Sequence, residues 1–281
     1  MVKKLLKHEL KYYIRIFIPI FAALVLFSGI GRIVQLFEPL FNDKTIPVYY
    51  ILLIGTILIV VITMITALIL QFIFSIVRFY KHLFSGEGYL SFTIPVSVDQ
   101  HLFVKLFSSI LIGFFTLLAI IASICILTSG DLLVELIKAA RYLIKDIIKE
   151  GSELVFVIIG IYALYFLVSY LYSTLLCYLC IALGQLFNKA RIAMAVVFYF
   201  AHYIIMQVGG MALSILISFG MIGLSASSDI SNMERYAGVF ESNPDLVTVI
   251  AFLVPLLIYI ALSVVYYFAV RYILKNRLNL E

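Results

Sequence analysis

Residues 49–102 read YYILLIGTILIVVITMITALILQFIFSIV followed by RFYKHLFSGEGYLSFTIPVSVDQHL. The first part, Tyr49 to Val77, contains no Asp, Glu, Lys, Arg or His. A hydrocarbon layer about 30 Å thick is crossed by about 20 helical residues, so this run is more than long enough to span one. Inside the layer no water bonds the backbone, and a helix satisfies every amide within the segment. The second part carries Arg78, Lys81, His82, Glu87, Asp99 and His101, with Gly86, Gly88 and Pro95 among them. Hydrocarbon rejects such a strip, which belongs in water beside the membrane. A spanning run ended by a short polar strip is the pattern of a multi-pass helical protein.

Five further runs repeat the pattern: about Ile14 to Leu36, Leu102 to Thr128, Leu154 to Phe187, Ile192 to Leu224 and Val247 to Tyr272. With 64% apolar and 12% charged residues and a mean hydropathy of +1.16, the chain is too hydrophobic for a water-soluble domain. The expected fold class is an all-α integral membrane protein with six transmembrane helices in one domain, 1–281. Between the runs lie a loop with Glu38, Pro39, Asn42, Asp43 and Pro47, the strip at 78–101, a charged segment at 129–153, a tight turn at Asn188 and Lys189, and a loop at 225–246.

A net charge of +5 does not point to nucleic acid, because the basic residues are spread through short loops and tails without an aromatic-interleaved patch. Membrane topology accounts for them. An N-terminus in the cytoplasm puts most Lys and Arg inside, which is the bias that the positive-inside rule counts, and leaves most Asp and Glu outside. Six spans then place both termini in the cytoplasm. Cys125, Cys177 and Cys180 all fall in apolar runs, where packing thiols are expected rather than a disulfide framework or zinc site. The basic N-terminus leads into a full-length span without a small-residue cleavage pattern, so no cleaved leader is expected.

Two amphipathic segments stand outside the spans. In Lys3 to Arg15, Lys4, Lys7, His8, Lys11 and Arg15 gather on one side of a helical wheel and Leu6, Leu10, Tyr13 and Phe17 on the other. An interfacial helix is expected there, its basic face on the anionic leaflet. In Asp131 to Glu150, Leu133, Leu136, Ala140, Leu143 and Ile147 repeat at helical spacing, opposite Glu135, Lys138, Lys145, Asp146 and Lys149. This extracytoplasmic helix is too charged to span, and reads as a connector or an outer lid.

No catalytic constellation assembles. The sequence has no His-Glu-x-x-His, no Gly-x-Ser-x-Gly and no phosphate-cradling Gly-x-x-x-x-Gly-Lys-Ser/Thr loop, so no enzyme activity, metal site or cofactor is expected on this chain. Of ionisable groups within the runs, His202 and Arg32 stand out. Proton- or ion-driven carriage calls for membrane carboxylates, and the six run interiors hold none. Uncharged polar groups remain: Gln71, Gln185, His202, Gln207 and the stripe Tyr162, Tyr165, Ser169 and Tyr172. They read either as helix-to-helix hydrogen bonds or as the lining of a route for an amphipathic substrate.

Within the strip, Arg78 to Phe84 suits a short interfacial helix, and Ser85-Gly86-Glu87-Gly88 ends it. Tyr89 to Ser97 is extended, since Pro95 disfavours helix at Ile94, and a new helix starts at Ser97 or Asp99, either of which caps it. The motif Gly86-Glu87-Gly88-Tyr89-Leu90 with Pro95-Val96-Ser97, set between spans two and three after a basic amphipathic N-terminus, resembles the type-2 permease family of ABC transporters. The charged helix at 131–153 is additional to that layout.

The resemblance implies that Lys3 to Arg15 is an interfacial elbow. It implies that the strip is a coupling helix docking on a cytoplasmic ATPase through Arg78, Lys81, His82, Phe84, Gly86, Glu87, Gly88 and Tyr89. ATP and Mg would then be bound by the partner ATPase, and a second permease copy or a related permease would complete the transporter in the cell membrane. Export of a hydrophobic or amphipathic peptide, antimicrobial or lipid is the implied activity, with Gln71, Tyr162, Tyr165, Ser169, Tyr172, His202 and Gln207 as pathway lining. The alternative from another class is a non-transporting membrane sensor, anchor or assembly protein.

Overall fold

The computed structural model describes residues 2–38, 46–84, 88, 96–129, 134–135, 138–139, 154–187, 190–227 and 244–276. Among them the chain forms six long helices: α1 (Val2–Leu36), α2 (Ile46–Phe84), α3 (Val98–Leu127), α4 (Leu154–Gly184), α5 (Arg191–Ser227) and α6 (Pro244–Asn276). All six contain a stretch long and apolar enough to cross a membrane, and no strand occurs among the described residues. The protein is an all-helical, multi-pass membrane protein, as its hydrophobic runs require.

The helices extend past the runs that predict them. The 35 residues of α1 take in both the basic segment Lys3 to Arg15 and the first apolar run, making a helix about 52 Å long. No Gly or Pro interrupts Lys3 to Ile18, so nothing in the sequence ends the helix between the two. Pro19 lies within α1; lacking an N–H, it leaves the Arg15 carbonyl without its usual intrahelical donor. In the same way α2 runs for 39 residues through Phe84. Arg78 to Phe84 is therefore the end of a spanning helix, because no Gly or Pro falls between Gly55 and Gly86.

α3 starts as its sequence predicts. The Ser97 side chain accepts from the Gln100 N–H at 3.3 Å while the Gln100 side chain accepts from the Ser97 N–H at 3.2 Å. This reciprocal cap satisfies two backbone donors that a helix start leaves open. Of the charged segment at 129–153, only 129, 134–135 and 138–139 are described. Val134, Glu135, Lys138 and Ala139 are helical and exposed, and the remaining amphipathic positions lie outside the described residues. So do the tight turn at 188–189 and most of the loop at 225–246.

The helices group into two three-helix units, Met1–Gly151 and Ser152–Glu281. In the first, α1 packs on both α2 and α3, and α2 packs on α3. Tyr13, Phe17 and Ile112 are buried at its centre, with Ile16, Ile20, Phe21 and Phe74 against them. Towards the other end of α1 the seam is made of small polar residues. The Ser28 hydroxyl donates to the Leu24 carbonyl at 2.6 Å and shares a short hydrogen bond with Ser123 of α3. Small side chains let helix backbones approach closely in lipid, where apolar burial alone drives little association.

In the second unit α4 packs on both α5 and α6. A β-carbon added at Gly184 would stand 2.5 Å from the Arg191 carbonyl oxygen and 3.0 Å from the Ala195 β-carbon. Glycine is thus what lets the start of α5 fold back against the end of α4. Cys177 and Cys180 are buried free thiols in this core, in keeping with a packing role. Among the described residues of Arg191–Leu216, α5 buries none within the chain.

Candidate functional site

One carboxylate organises the first unit. Glu9 sits two turns into α1 on the face that also carries Tyr13 and Phe17, and it is 0% exposed. Its Oε2 accepts from Arg78 Nε of α2 at 3.1 Å. Its Oε1 accepts from Lys105 Nζ of α3 at 2.5 Å, with His82 Nε2 at 3.7 Å. Arg78 and Lys105 are themselves 7% and 2% exposed. The Arg78 guanidinium also stacks over the Tyr12 ring, 4.1 Å from its centroid, a contact that adds attraction in a desolvated site.

Glu9 divides its two oxygens between two helices. The start of α1, the end of α2 and the start of α3 are thereby tied at one point by charge-assisted hydrogen bonds, which are stronger than neutral ones. Removing water from three charges is expensive, and such a set persists only where geometry compensates. The segment at 85–97 leaves from and returns to the two helices that are tied.

The candidate coupling residues therefore occupy different environments. Arg78 faces Glu9, and His82 is half-buried beside the same carboxylate. Phe84 is buried edge-on against Phe79 with ring centroids 5.7 Å apart. Lys81 is exposed, and Gly88 is buried. Gly86, Glu87 and Tyr89 lie outside the described residues.

The second unit holds a ladder of aromatic rings. Tyr172 of α4 stacks on Tyr259 of α6 with centroids 4.7 Å apart and an interplanar angle of 11°. Tyr165 also stacks with Tyr259, at 5.7 Å, and Tyr162 meets Phe252 at 4.3 Å. His202 of α5 joins at one end. Its Nε2 bonds to the Tyr172 hydroxyl at 2.7 Å and its Nδ1 to the Tyr266 hydroxyl at 3.3 Å. A neutral imidazole donates from one nitrogen and accepts at the other, so the two tyrosines take opposite roles. One side chain thus joins all three helices of the unit.

Among the candidate lining residues, the structure brings Tyr162, Tyr165, Tyr172 and His202 together through α6. Ser169 lies on the same helix, but its hydroxyl donates to the Phe166 carbonyl at 2.9 Å. Gln207 is exposed on α5. Gln71 belongs to the first unit, where its amide donates to the Ser109 carbonyl at 3.3 Å and serves a contact between α2 and α3. Arg32 donates to Gln35 on its own helix at 3.0 Å.

Sequence reading misses Glu9, Lys105, Tyr259 and Tyr266. Glu9 carries a signal, being an acid on the apolar side of an otherwise basic segment. Lys105 carries another, since it falls inside the third hydrophobic run. The α6 tyrosines carry none, because nothing in one sequence says which helix faces the stripe on α4. No group of His, Cys, Asp and Glu suited to a metal ion occurs among the described residues. No protein-family model, curated protein or solved structure matches this chain.

Proposed function

We propose that the chain is the membrane permease subunit of an ATP-driven transporter of the ABC type-2 class. In this reading it exports a hydrophobic or amphipathic substrate using a separate cytoplasmic ATPase and a second permease. Both termini and the segment at 78–101 face the cytoplasm. The observation that carries the reading is the Glu9 cluster. A loop that receives force needs a rigid base, and Glu9 ties both helices that bear this loop to α1. A displacement imposed on the loop is then passed to three spanning helices together. That is how closure of an ATPase pair shifts the populations of two membrane conformations.

This division of labour refines the coupling set. Lys81, exposed at the end of α2, and Gly86, Glu87 and Tyr89 in the loop make the contact with the ATPase. Arg78, His82 and Phe84 hold the helix end in place. The aromatic ladder, with hydroxyls and an imidazole but no carboxylate, ammonium or guanidinium among the residues named, suits an apolar substrate that carries a few hydrogen-bonding groups.

The test is co-purification of the chain with the ATPase encoded beside it, followed by ATP hydrolysis in vesicles with Gly86, Glu87 and Tyr89 substituted. The proposal expects loss of association and of stimulated turnover. Unchanged association and turnover would remove the coupling assignment. A non-transporting sensor or anchor predicts instead that added substrate never stimulates hydrolysis.

A further inference from the structure

The outward side of α1 carries a feature that neither the Glu9 cluster nor the aromatic ladder uses. An open groove of about 420 Å³ is lined, among the described residues, by Lys3, Leu6, Lys7, Leu10, Lys11 and Ile14. Lys3, Lys7 and Lys11 follow one another at four-residue spacing and so form one row up the helix, about 6 Å per step. Leu6, Leu10 and Ile14 form the adjacent row, each three residues after a lysine. The groove wall is almost wholly apolar, so the lysines line it with their methylene stems, and every step sets one lysine side chain beside one aliphatic group.

We infer that this groove binds one anionic phospholipid, with the phosphate on Lys3, Lys7 and Lys11 and an acyl chain along Leu6, Leu10 and Ile14. A small soluble anion would use the lysines and leave the aliphatic row in water. A neutral lipid would use the aliphatic row and leave three cations unmatched. An anionic amphiphile satisfies both rows.

The charge balance favours it. Glu9 is the acid of this stretch, and its carboxylate is directed inward onto Arg78 and Lys105, so it is not available to neutralise the lysine row. Lys3, Lys7 and Lys11 make no salt bridge among the described residues. The position is also right for a headgroup. α1 has 35 residues, and about 20 suffice for the hydrocarbon layer, which leaves its basic end in the headgroup region. The inference does not depend on whether the chain transports anything.

Native mass spectrometry of the delipidated full-length chain, titrated with dioleoyl phosphatidylglycerol or dioleoyl phosphatidylcholine, tests it. Tighter retention of phosphatidylglycerol is expected, weakened about fivefold for each of Lys3→Gln, Lys7→Gln and Lys11→Gln. The Lys→Arg triple keeps binding, which separates loss of charge from misfolding. The triple Lys4→Gln, His8→Gln, Arg15→Gln, outside the groove, leaves binding unchanged. Leu6→Ser with Leu10→Ser weakens both lipids. Equal affinity for the two lipids would overturn the inference. So would equal losses from the two neutralising triples, which mean diffuse electrostatics, or competition by glycerol phosphate as effective as the whole lipid, which means a plain phosphate site. Binding unaffected by any of these variants would mean that the groove is filled otherwise, and would overturn it as well.

Discussion

Glu9→Gln keeps the shape of the side chain and removes its charge. Arg78 and Lys105, 7% and 2% exposed, then lose the carboxylate they share. At the observed separations of 3.1 and 2.5 Å, each pair gains roughly 5 to 7 kcal/mol of attraction at an effective dielectric of about 20. Desolvation of the three charges consumes most of that. Truncating one member of such a buried set nevertheless costs about 3–5 kcal/mol, because the remaining charges stay buried. Equilibrium denaturation of the purified chain in mixed micelles, followed by far-ultraviolet circular dichroism, measures the loss. Lys105→Met alone should also destabilise, and Glu9→Gln with Lys105→Met should cost less than the two singles together, by about 1–3 kcal/mol. If Glu9→Gln lies within about 0.5 kcal/mol of the parent, the cluster behaves as a solvated surface pair and the three helix ends are not tied by it.

Three further outcomes are expected. Tyr172→Phe and Tyr266→Phe each remove one hydrogen bond to His202 and should cost about 1 kcal/mol, the loss falling when His202 is already Ala; additive losses in the double-mutant cycle would mean the hydroxyls act independently of the imidazole. Gly184→Ala meets a backbone carbonyl and should lower stability by about 1–3 kcal/mol. Gly31→Ala should cost less, because the atom in its way is the movable Cδ1 of Leu127 at 2.7 Å, and the reverse order in thermal unfolding would contradict the packing described. Ser28→Ala should cost about 0.6 kcal/mol and at most about 1.7, the range found for hydrogen bonds between membrane helices, read by the same denaturation assay.

The spans were legible because hydrocarbon sets a minimum length and tolerates so few residue types. The cap on α3 was legible because Ser97-Val-Asp-Gln100 immediately precedes an apolar run. Helix ends were not. The bilayer argument says where a helix must be, not where it stops, and the absence of Gly and Pro carries α1 through its basic segment and α2 through Arg78 to Phe84. The stripe Tyr162, Tyr165, Ser169 and Tyr172 was visible as a helical face, whereas its partners Tyr259 and Tyr266 depend on which helix lies opposite. Glu9 shows both sides of the matter. An acid on the apolar side of a basic helix is a visible anomaly, yet which cations answer it, 69 and 96 residues later, is a fact of tertiary packing.

We propose that the segment between the two Glu9-tied helices couples this chain to an ATPase. The most direct measurement is ATP hydrolysis by the co-reconstituted chain and ATPase in vesicles, comparing the parent with Glu9→Gln and with Gly86, Glu87 and Tyr89 substituted. The account predicts that the loop variants abolish both association and stimulated hydrolysis, while Glu9→Gln keeps association and loses stimulation. Stimulation that survives every one of these changes would contradict it.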